Sequence, residues 1–217
     1  MDERKDKILE EVSRYLYKKN PLISRIEKSK HFLAARLCGS SNRIVLDLGC
    51  GFGEHFAYHA KNEKAVGIDI SMELLRKVEA QYPHGVCGLI QADAAAIPLK
   101  DNSVDCIVSL SVLEHIAELD RCLIEARRVL KENGRFVVGL PTDGLLFKIG
   151  RELTVKKYIS GKFKIDYEEL CRKEHVNEIG SVLKKLKAYF RVKTVLGAPF
   201  ILPSRHLNTF LLYELRK

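Results

Sequence analysis

The chain has 217 residues, 30% of them charged, and a net charge of +9 at neutral pH. This length suits one α/β domain with a substantial core. No apolar run approaches the roughly 20 residues of a membrane-spanning helix. The charged start MDERKDKILEE does not resemble a signal peptide. We therefore expect a cytoplasmic protein without a membrane span.

The excess positive charge is confined to the last third of the chain. Residues 1–147 hold 21 basic and 21 acidic residues, whereas residues 148–217 hold 16 basic and 7 acidic ones. Such a basic segment is typical of proteins that bind nucleic acid, acidic glycans or phosphorylated molecules. A lysine-rich face that only aids solubility explains the charge equally well.

The six cysteines are scattered, with no Cys-x-x-Cys pair among them. This spacing favours neither a zinc knuckle nor a disulfide framework. We therefore predict free, buried thiols at Cys38, Cys50, Cys87, Cys106, Cys122 and Cys171.

Two helices are predicted in the first 40 residues. Apolar residues at helical spacing indicate an amphipathic helix over 3–19. Asn20 and Pro21 supply an N-cap and a first helical residue for the second helix, which ends near Gly39.

From residue 43 onwards, short apolar runs alternate with helical patterns. A helix over 72–82 follows the second run, and Asn133-Gly134 should end the helix that follows the fourth. Apolar runs separated by helices predict a parallel sheet covered on both faces. The predicted strands are 43–49, 64–70, 85–93, 103–113 and 135–141.

The rest of the chain breaks this alternation. Residues 142–174 are predicted to be an irregular, charged insertion, followed by a helix over 176–190 with Asn177 as its N-cap. About ten residues join two final strands, 191–197 and 207–215, which is too short for a helical crossover, so these strands should be antiparallel. The predicted fold class is a doubly wound, seven-stranded α/β sheet, mostly parallel, with a C-terminal antiparallel hairpin.

A glycine-rich turn follows the first strand, in the stretch IVLDLGCGFGEHF. Its spacing, Gly49-x-Gly51-x-Gly53, lets the backbone bend sharply and approach a ligand closely. Glu54 stands where a dinucleotide-binding loop has its third small residue and would repel phosphates. Glu54 and Asp47 together favour a ligand that lacks pyrophosphate and carries positively charged groups, such as a sulfonium and an ammonium.

Acidic residues end the second and third strands. Asp69 can accept two hydrogen bonds from a ribose diol. Asp93 can accept one from an adenine amine, while the Ala94 N–H meets a ring nitrogen. Each aspartate alone is equally well explained as a helix cap. Glycine or aspartate at three successive strand ends, all at one edge of the sheet, predicts a nucleoside site.

The segments VLDLGCGFG, GIDIS, ADAAAIPLKDNSVDCIVSLSVLEHI and EARRVLKENGRFVVGLP resemble class I S-adenosylmethionine-dependent methyltransferases. The similarity is greatest to the small-molecule type of quinone, sterol and sugar pathways, and the insertion resembles, more loosely, methyltransferases of polysaccharide and glycolipid biosynthesis. The resemblance implies S-adenosylmethionine as cofactor. It also implies contacts to the methionine end, ribose, adenine and sulfonium from Asp47, Gly49, Cys50, Gly51, Gly53, Asp69, Ile70, Asp93, Ala94, Ser109 and Leu110.

Two histidines are the candidate catalytic residues. His115 lies just past the fourth strand and His175 opens the helix before the terminal hairpin, so both could meet the acceptor as proton-accepting groups. A structural role for His115 is equally open. A metal is not predicted, because Ser111 stands where metal-dependent RNA 3′-end methyltransferases of this fold have a glutamate, which leaves an incomplete ligand set.

Three functions stay open from the sequence. The leading one is methyl transfer to oxygen or nitrogen of a small-molecule or glycan acceptor, which the basic segment suggests is anionic or polyhydroxylated. The alternatives are an RNA-directed methyltransferase that uses the basic segment, and a non-catalytic protein that binds the same cofactor.

We expect one domain, with N-terminal helices over 1–40, a cofactor-binding core over 41–141, a cover over 142–175, and a terminal helix and hairpin over 176–217. The cover and the N-terminal helices should together enclose the acceptor and exclude water from it. The residues predicted at the rim of this pocket are Arg151, Lys156, Lys157 and Tyr158.

Overall fold

The computed structural model describes residues 3–39, 43–59, 64–82, 87–142, 144, 148–150, 152–169 and 175–217. A seven-stranded sheet lies at its centre, with strand order β3-β2-β1-β4-β5-β7-β6. The strands are β1 (Ile44–Leu48), β2 (Lys64–Asp69), β3 (Gly88–Gln91), β4 (Val104–Leu110), β5 (Leu130–Pro141), β6 (Arg191–Ala198) and β7 (Phe210–Arg216).

The sheet is parallel through its first five strands and antiparallel at its end. Strands β1 to β5 pair in parallel, and β7 pairs antiparallel with both β5 and β6. The predicted doubly wound sheet with a terminal antiparallel hairpin is therefore confirmed.

Helices cover both faces of this sheet. The helices are α1 (Glu3–Arg14), α2 (Pro21–Cys38), α3 (Met72–Gln81), α4 (Leu119–Val129), α5 (Lys157–Phe163) and α6 (Ile179–Tyr189). The α1 helix continues into a π-helical turn over Tyr15–Lys19. The predicted cap of α2 is confirmed, because Asn20 Oδ1 accepts hydrogen bonds from the N–H groups of Leu22 and Ile23 at 3.1 and 3.2 Å. Within the described residues, no helix is long and apolar enough to cross a membrane.

Two apolar layers hold the helices on the sheet. On one face, α4 and α6 pack against β4, β5 and β7 through Leu123, Leu186 and Phe136. On the other face, Leu33 and Leu37 of α2 join the buried side chains of β1, β4 and β5. Burial of each large apolar side chain contributes roughly 1.5–3 kcal/mol, so these layers fix where α2 and the strand ends meet.

The predicted end of α4 at Asn133-Gly134 is wrong. The helix ends at Val129, and Leu130 already pairs with Val104 of β4. Leu130 is fully buried there. Tertiary burial of this leucine outweighs the local turn signal of the Asn-Gly pair, which lies within β5 as the structure defines it.

The insertion after β5 is helical in its described part, contrary to the predicted irregular segment. A π-helical turn over Glu152–Lys156 leads directly into α5. Val155 and Ile159 are buried against Ile8 of α1. These apolar contacts give the segment a helical form that its high charge conceals in the sequence.

The prediction of six free, buried thiols is wrong for three of them. Cys38 and Cys106 form a disulfide, because packing of the α2 end on β4 brings their Cα atoms to 5.9 Å. Cys50 and Cys122 are free and buried, whereas Cys87 is free and exposed. Cys171 lies outside the described residues.

Asn177 does not cap the last helix as predicted. Helix α6 begins at Ile179 with no side-chain cap. Asn177 Nδ2 instead donates to the carbonyls of Leu113 and Ile116 at 3.2 and 2.6 Å, and its backbone N–H donates to the Glu114 carbonyl at 3.0 Å. These three bonds tie the segment before α6 to the turn after β4.

Asn177→Ala should lower the free energy of unfolding by about 1–3 kcal/mol, because two carbonyls beside the buried Leu113 lose their donor. Urea unfolding followed by circular dichroism measures the change. Asn133→Ala, the same substitution at an exposed position, serves as control and should change stability by less than about 0.5 kcal/mol. Equal effects of the two substitutions would show that the tie is not stabilising.

Candidate active site

The site lies at the point where the strand order reverses. The chain continues from β1 to β2 on one side, whereas β4 flanks β1 on the other. Sheets of this kind bind ligands in a crevice at the carboxyl ends of the two strands that flank this point, here β1 and β4. All the sequence-predicted cofactor residues follow or end strands at this edge.

The glycine loop after β1 needs its glycines. Gly49, Gly51 and Gly53 have φ angles of 75°, 54° and 76°, a region that strains most other residues. A Cβ atom on Gly49 would lie only 2.5 Å from Val112, whereas a Cβ on Gly51 would meet no atom within 4 Å. Gly49 thus serves a close packing contact, and Gly51 borders open space that a ligand can enter.

Asp69 is held in place at the end of β2. Its Oδ2 atom accepts a hydrogen bond from the Gly51 N–H, and its Oδ1 atom accepts one from the Ser71 N–H, both at 2.9 Å. Each carboxylate oxygen can accept a further bond. The orientation therefore suits the predicted ribose contact, while the neighbouring Ile70 side chain is 69% exposed.

The predicted adenine-binding residues follow β3. Asp93 is exposed, and its Oδ1 atom accepts a hydrogen bond from the Ala95 N–H at 2.8 Å. Ala94 is half-buried against the main core. The Asp93 carboxylate is thus oriented by its own turn and retains acceptor capacity.

Three carboxylates gather around the glycine loop. Asp47 is only 4% exposed, and burial, together with the nearby charges of Glu54 and Asp69, raises its pKa to about 8. Burial also raises the pKa of the Cys50 thiol. A positive charge would relieve this repulsion, so the donor set fits a ligand that carries an ammonium or a sulfonium group.

The end of β4 presents polar atoms without partners. Ser109 is fully buried, and the Oγ atoms of Ser109 and Ser111 make no hydrogen bond within the described residues. Ser111 also has a positive φ of 59°. Buried hydroxyls are normally paired, so these two, beside the half-buried Leu110, mark a polar floor at the crevice.

The structure brings the two predicted catalytic histidines together. The ring centroids of His115 and His175 lie 4.7 Å apart, at an interplanar angle of 72°. Both side chains are exposed, whereas the adjacent Glu114 is buried. Asn177 fixes their spacing, because it ties the backbone beside His175 to the backbone beside His115.

Of the predicted rim residues, Tyr158 makes the best-defined contacts. Its ring stacks on Tyr15 at 4.4 Å, and its hydroxyl donates to Glu11 at 2.5 Å and contacts the Lys19 amine. Lys157 is exposed. Lys156 forms ion pairs with acidic neighbours in the same insertion, and Arg151 lies outside the described residues.

Sequence reasoning missed a buried polar stripe on α2. Its first three members are spaced three residues apart and the fourth follows directly, so all four lie on one side of the helix: Ser24, Glu27, Lys30 and His31. The ring centroids of His31 and His55 lie 5.6 Å apart, and His55 follows the glycine loop. The Nδ1 atom of His31 and both ring nitrogens of His55 are buried without hydrogen-bond partners within the described residues. The helical spacing of these polar residues was a readable signal.

The sheet order and the site together define a Rossmann-like methyltransferase fold. A family model described as "Methyltransferase domain" matches residues 46–138. A crystal structure of an S-adenosylmethionine-dependent methyltransferase from Thermotoga maritima has the same fold, with a TM-score of 0.68, 18% identity and 100% coverage of both chains.

Curated relatives agree with the structural match. The chain is 30% identical over 57% of its length to a "probable S-adenosylmethionine-dependent methyltransferase" of Mycobacterium tuberculosis, covering 44% of that protein. It is 31% identical over 71% of its length to a tRNA (carboxymethyluridine(34)-5-O)-methyltransferase of Macaca fascicularis, covering 21% of that protein. The chain spans between 30% and 64% of the first relatives that it matches.

The chain is therefore similar to S-adenosylmethionine-dependent methyltransferases over residues 46–138 and in its fold, as the resemblance of its motifs predicted. The cofactor of this family is S-adenosylmethionine. The carboxylates around the glycine loop suit its two positive charges, and Asp69 suits its ribose.

Asp69→Ala should weaken S-adenosylmethionine binding at least tenfold, since it removes charge-assisted hydrogen bonds worth roughly 1.5–3 kcal/mol each. Calorimetric titration measures the affinity, and circular dichroism verifies the fold. Glu79→Ala removes an exposed carboxylate on α3 and is the matched control, with unchanged affinity expected. Unchanged affinity in Asp69→Ala would contradict the ribose assignment.

Asp47 should lose its proton when the cofactor binds. Its pKa of about 8 lies above the ordinary range, so the carboxyl is mainly protonated at pH 7, and a nearby positive charge favours the carboxylate. Binding should therefore release protons below pH 8 and release progressively fewer above it. Titration calorimetry in buffers of different ionisation enthalpy counts them.

Asp47→Asn should abolish this part of the proton release, whereas Glu79→Gln should leave it intact. Identical proton counts in the Asp47→Asn variant and the unaltered chain would show that Asp47 does not respond to the cofactor.

Proposed function

We propose that the protein transfers a methyl group from S-adenosylmethionine to an oxygen or nitrogen atom of a small-molecule or glycan acceptor. The observation that carries this proposal is the contact between the rings of His115 and His175, whose centroids lie 4.7 Å apart next to the end of β4. This pair lies at the same sheet edge as the glycine loop and Asp69.

The chemistry needs alignment more than activation, because the bound sulfonium supplies an already activated methyl group. The protein must hold the acceptor atom in line with the methyl group, about 3–3.5 Å away. For a hydroxyl acceptor, an imidazole of the His115–His175 pair takes the proton, which contributes roughly 10²–10⁴-fold to the rate. For an amine acceptor, the pair mainly positions the nucleophile.

Contacts between the N-terminal helices and the insertion support the proposed cover. Tyr158 of α5 stacks on Tyr15, and Ile159 is buried against Ile8 of α1. In turn, Ser13 of the same helix donates a hydrogen bond to Glu54 of the glycine loop at 2.6 Å. A cover in this position excludes water from the transfer path, with the exposed Lys157 at its rim as a contact for the acceptor.

An acceptor screen tests the proposal, with release of S-adenosylhomocysteine as the signal. The panel contains phenols, amines, neutral glycosides, uronates, sugar phosphates and bulk tRNA. With an active hydroxyl acceptor, His115→Gln and His175→Gln should each lower kcat about 10²–10⁴-fold. His206→Gln, at an exposed histidine in the β6–β7 connection, is the control and should retain full activity.

Each outcome of the screen decides between the three functions. Turnover of a small molecule supports the proposal, and full activity of both His115→Gln and His175→Gln would contradict their catalytic role. Tight cofactor binding without turnover of any class in the panel would favour the non-catalytic alternative.

A tRNA acceptor is the second candidate function. It draws support from the similarity to the tRNA methyltransferase of Macaca fascicularis and from the 16 basic residues after residue 147. If RNA is the acceptor, the logarithm of the tRNA association constant should fall steeply and linearly with the logarithm of the salt concentration. Weak binding that does not depend on salt would exclude it.

A further inference from the structure

A second group of ligand atoms lies beside the crevice. The carboxylate of Glu114 and the imidazoles of His115 and His175 each place one oxygen or nitrogen atom within 4.8 Å of the other two. Two of these groups come from the turn after β4, and the third comes from a segment 60 residues further along the chain. Their meeting is therefore a product of the fold and not of local sequence.

Glu114 gives the clearest sign that a cation belongs there. Its side chain is 1% exposed, and Oε2 has no hydrogen-bond partner within the described residues. Burial of an unpartnered carboxylate oxygen costs several kcal/mol unless a proton or a cation compensates for it. Burial also raises the pKa of this carboxyl, against the lowering effects of His115 and Lys30. Lys30 is itself engaged in an ion pair with Glu27 at 2.8 Å.

The three groups need only small movements to coordinate one ion. In a tetrahedral zinc site with ligand bonds of 2.0–2.1 Å, neighbouring ligand atoms lie about 3.4 Å apart. Rotation of the two exposed imidazoles can close the observed gaps of up to 4.8 Å. The three hydrogen bonds of Asn177 hold the two backbone segments at a fixed separation during this closure.

We propose that Glu114, His115 and His175 bind one divalent transition-metal ion, Zn²⁺ or Mn²⁺ in preference to Mg²⁺ or Ca²⁺. Two imidazole nitrogens and one carboxylate oxygen form a mixed set that suits these ions, whereas Mg²⁺ and Ca²⁺ require mostly oxygen ligands. Three protein ligands leave at least one position open, as catalytic metal sites do.

The role of the ion rests on the proposed function, whereas its binding does not. With an ion bound, an acceptor hydroxyl in the open position would have a lowered pKa and would release its proton to solvent. The imidazoles would then act as metal ligands, and only in the metal-free protein would one of them take the proton. For an amine acceptor the ion would hamper the transfer, because it would occupy the lone pair that attacks the methyl group.

Metal titration tests the site directly. The full chain, without a polyhistidine tag and with Cys87→Ser to remove the exposed free thiol, is stripped with a chelator and titrated calorimetrically with ZnCl₂ and MnCl₂. We expect one Zn²⁺ per chain. His115→Ala and His175→Ala should each weaken Zn²⁺ binding at least 100-fold, and Glu114→Gln at least tenfold, because outer partners of metal sites alone account for 10–100-fold.

His206→Ala is the matched control and should bind Zn²⁺ as the parent chain does. Absence of saturable Zn²⁺ binding, or equal affinity in the His115→Ala, His175→Ala and His206→Ala variants, would overturn the metal site. Circular dichroism verifies that each variant is folded, and both histidines are exposed, so their loss should not unfold the chain.

Cofactor titration of the same stripped protein separates the two proposals. If S-adenosylmethionine binds and methyl transfer proceeds without metal, and Zn²⁺ does not bind, the metal site is wrong while the proposed function stands. If Zn²⁺ binds with the expected variant pattern but the cofactor does not bind, the metal site stands and the proposed function fails.

Discussion

The close approach of Gly49 to Val112 is the constraint on which the rest of the site depends. A Cβ atom at position 49 would lie 2.5 Å from Val112, so only a bare backbone allows the ends of β1 and β4 to meet at this distance. The loop that continues from Gly49 is then anchored by the bond between the Gly51 N–H and Asp69. The turn that continues from Val112 carries Glu114 and His115. The steric contact between Gly49 and Val112 thus sets the distance between the glycine loop and the turn that carries Glu114 and His115.

Electrostatics at this crevice favours a cation at two separate places. Around the glycine loop, burial of Asp47, together with the nearby charges of Glu54 and Asp69, raises the pKa of this carboxyl to about 8. Past β4, the buried Glu114 has an oxygen without a hydrogen-bond partner in the described part of the chain. Strongly shifted pKa values are typical of functional sites, where a bound ligand can provide the compensating charge.

Local signals in the sequence sufficed wherever the structure is locally determined. Asn20 and Pro21 begin α2 as predicted, because capping and proline geometry involve only neighbouring residues. The glycine loop and Asp69 were readable for the same reason, since strand ends carry their own turn chemistry. The parallel part of the sheet followed from the alternation of strands and helices, and the terminal hairpin followed from the short connection.

The errors arose where a distant contact decides the outcome. Leu130 leaves the helical pattern because it is buried beside Val104. Asn177 donates a hydrogen bond to the turn after β4 instead of capping its own helix. Cys38 forms a disulfide with Cys106, which lies 68 residues further along the chain. A single sequence contains no record of these pairings, because each depends on how α2 and α6 pack on the finished sheet.

The polar stripe of α2 shows why the two halves of the site belong to one chemical unit. Lys30 pairs with Glu27, lies 4.1 Å from the ring of Phe210 at the start of β7, and is near enough to Glu114 to lower the pKa of that carboxyl against the effect of burial. The next residue, His31, reaches His55 behind the glycine loop. Two adjacent residues of one helix therefore act on both parts of the site, Lys30 on Glu114 and His31 on His55. Buried polar groups are normally paired or meet a ligand, whereas Nδ1 of His31 and both ring nitrogens of His55 have no hydrogen-bond partner in the described part of the chain.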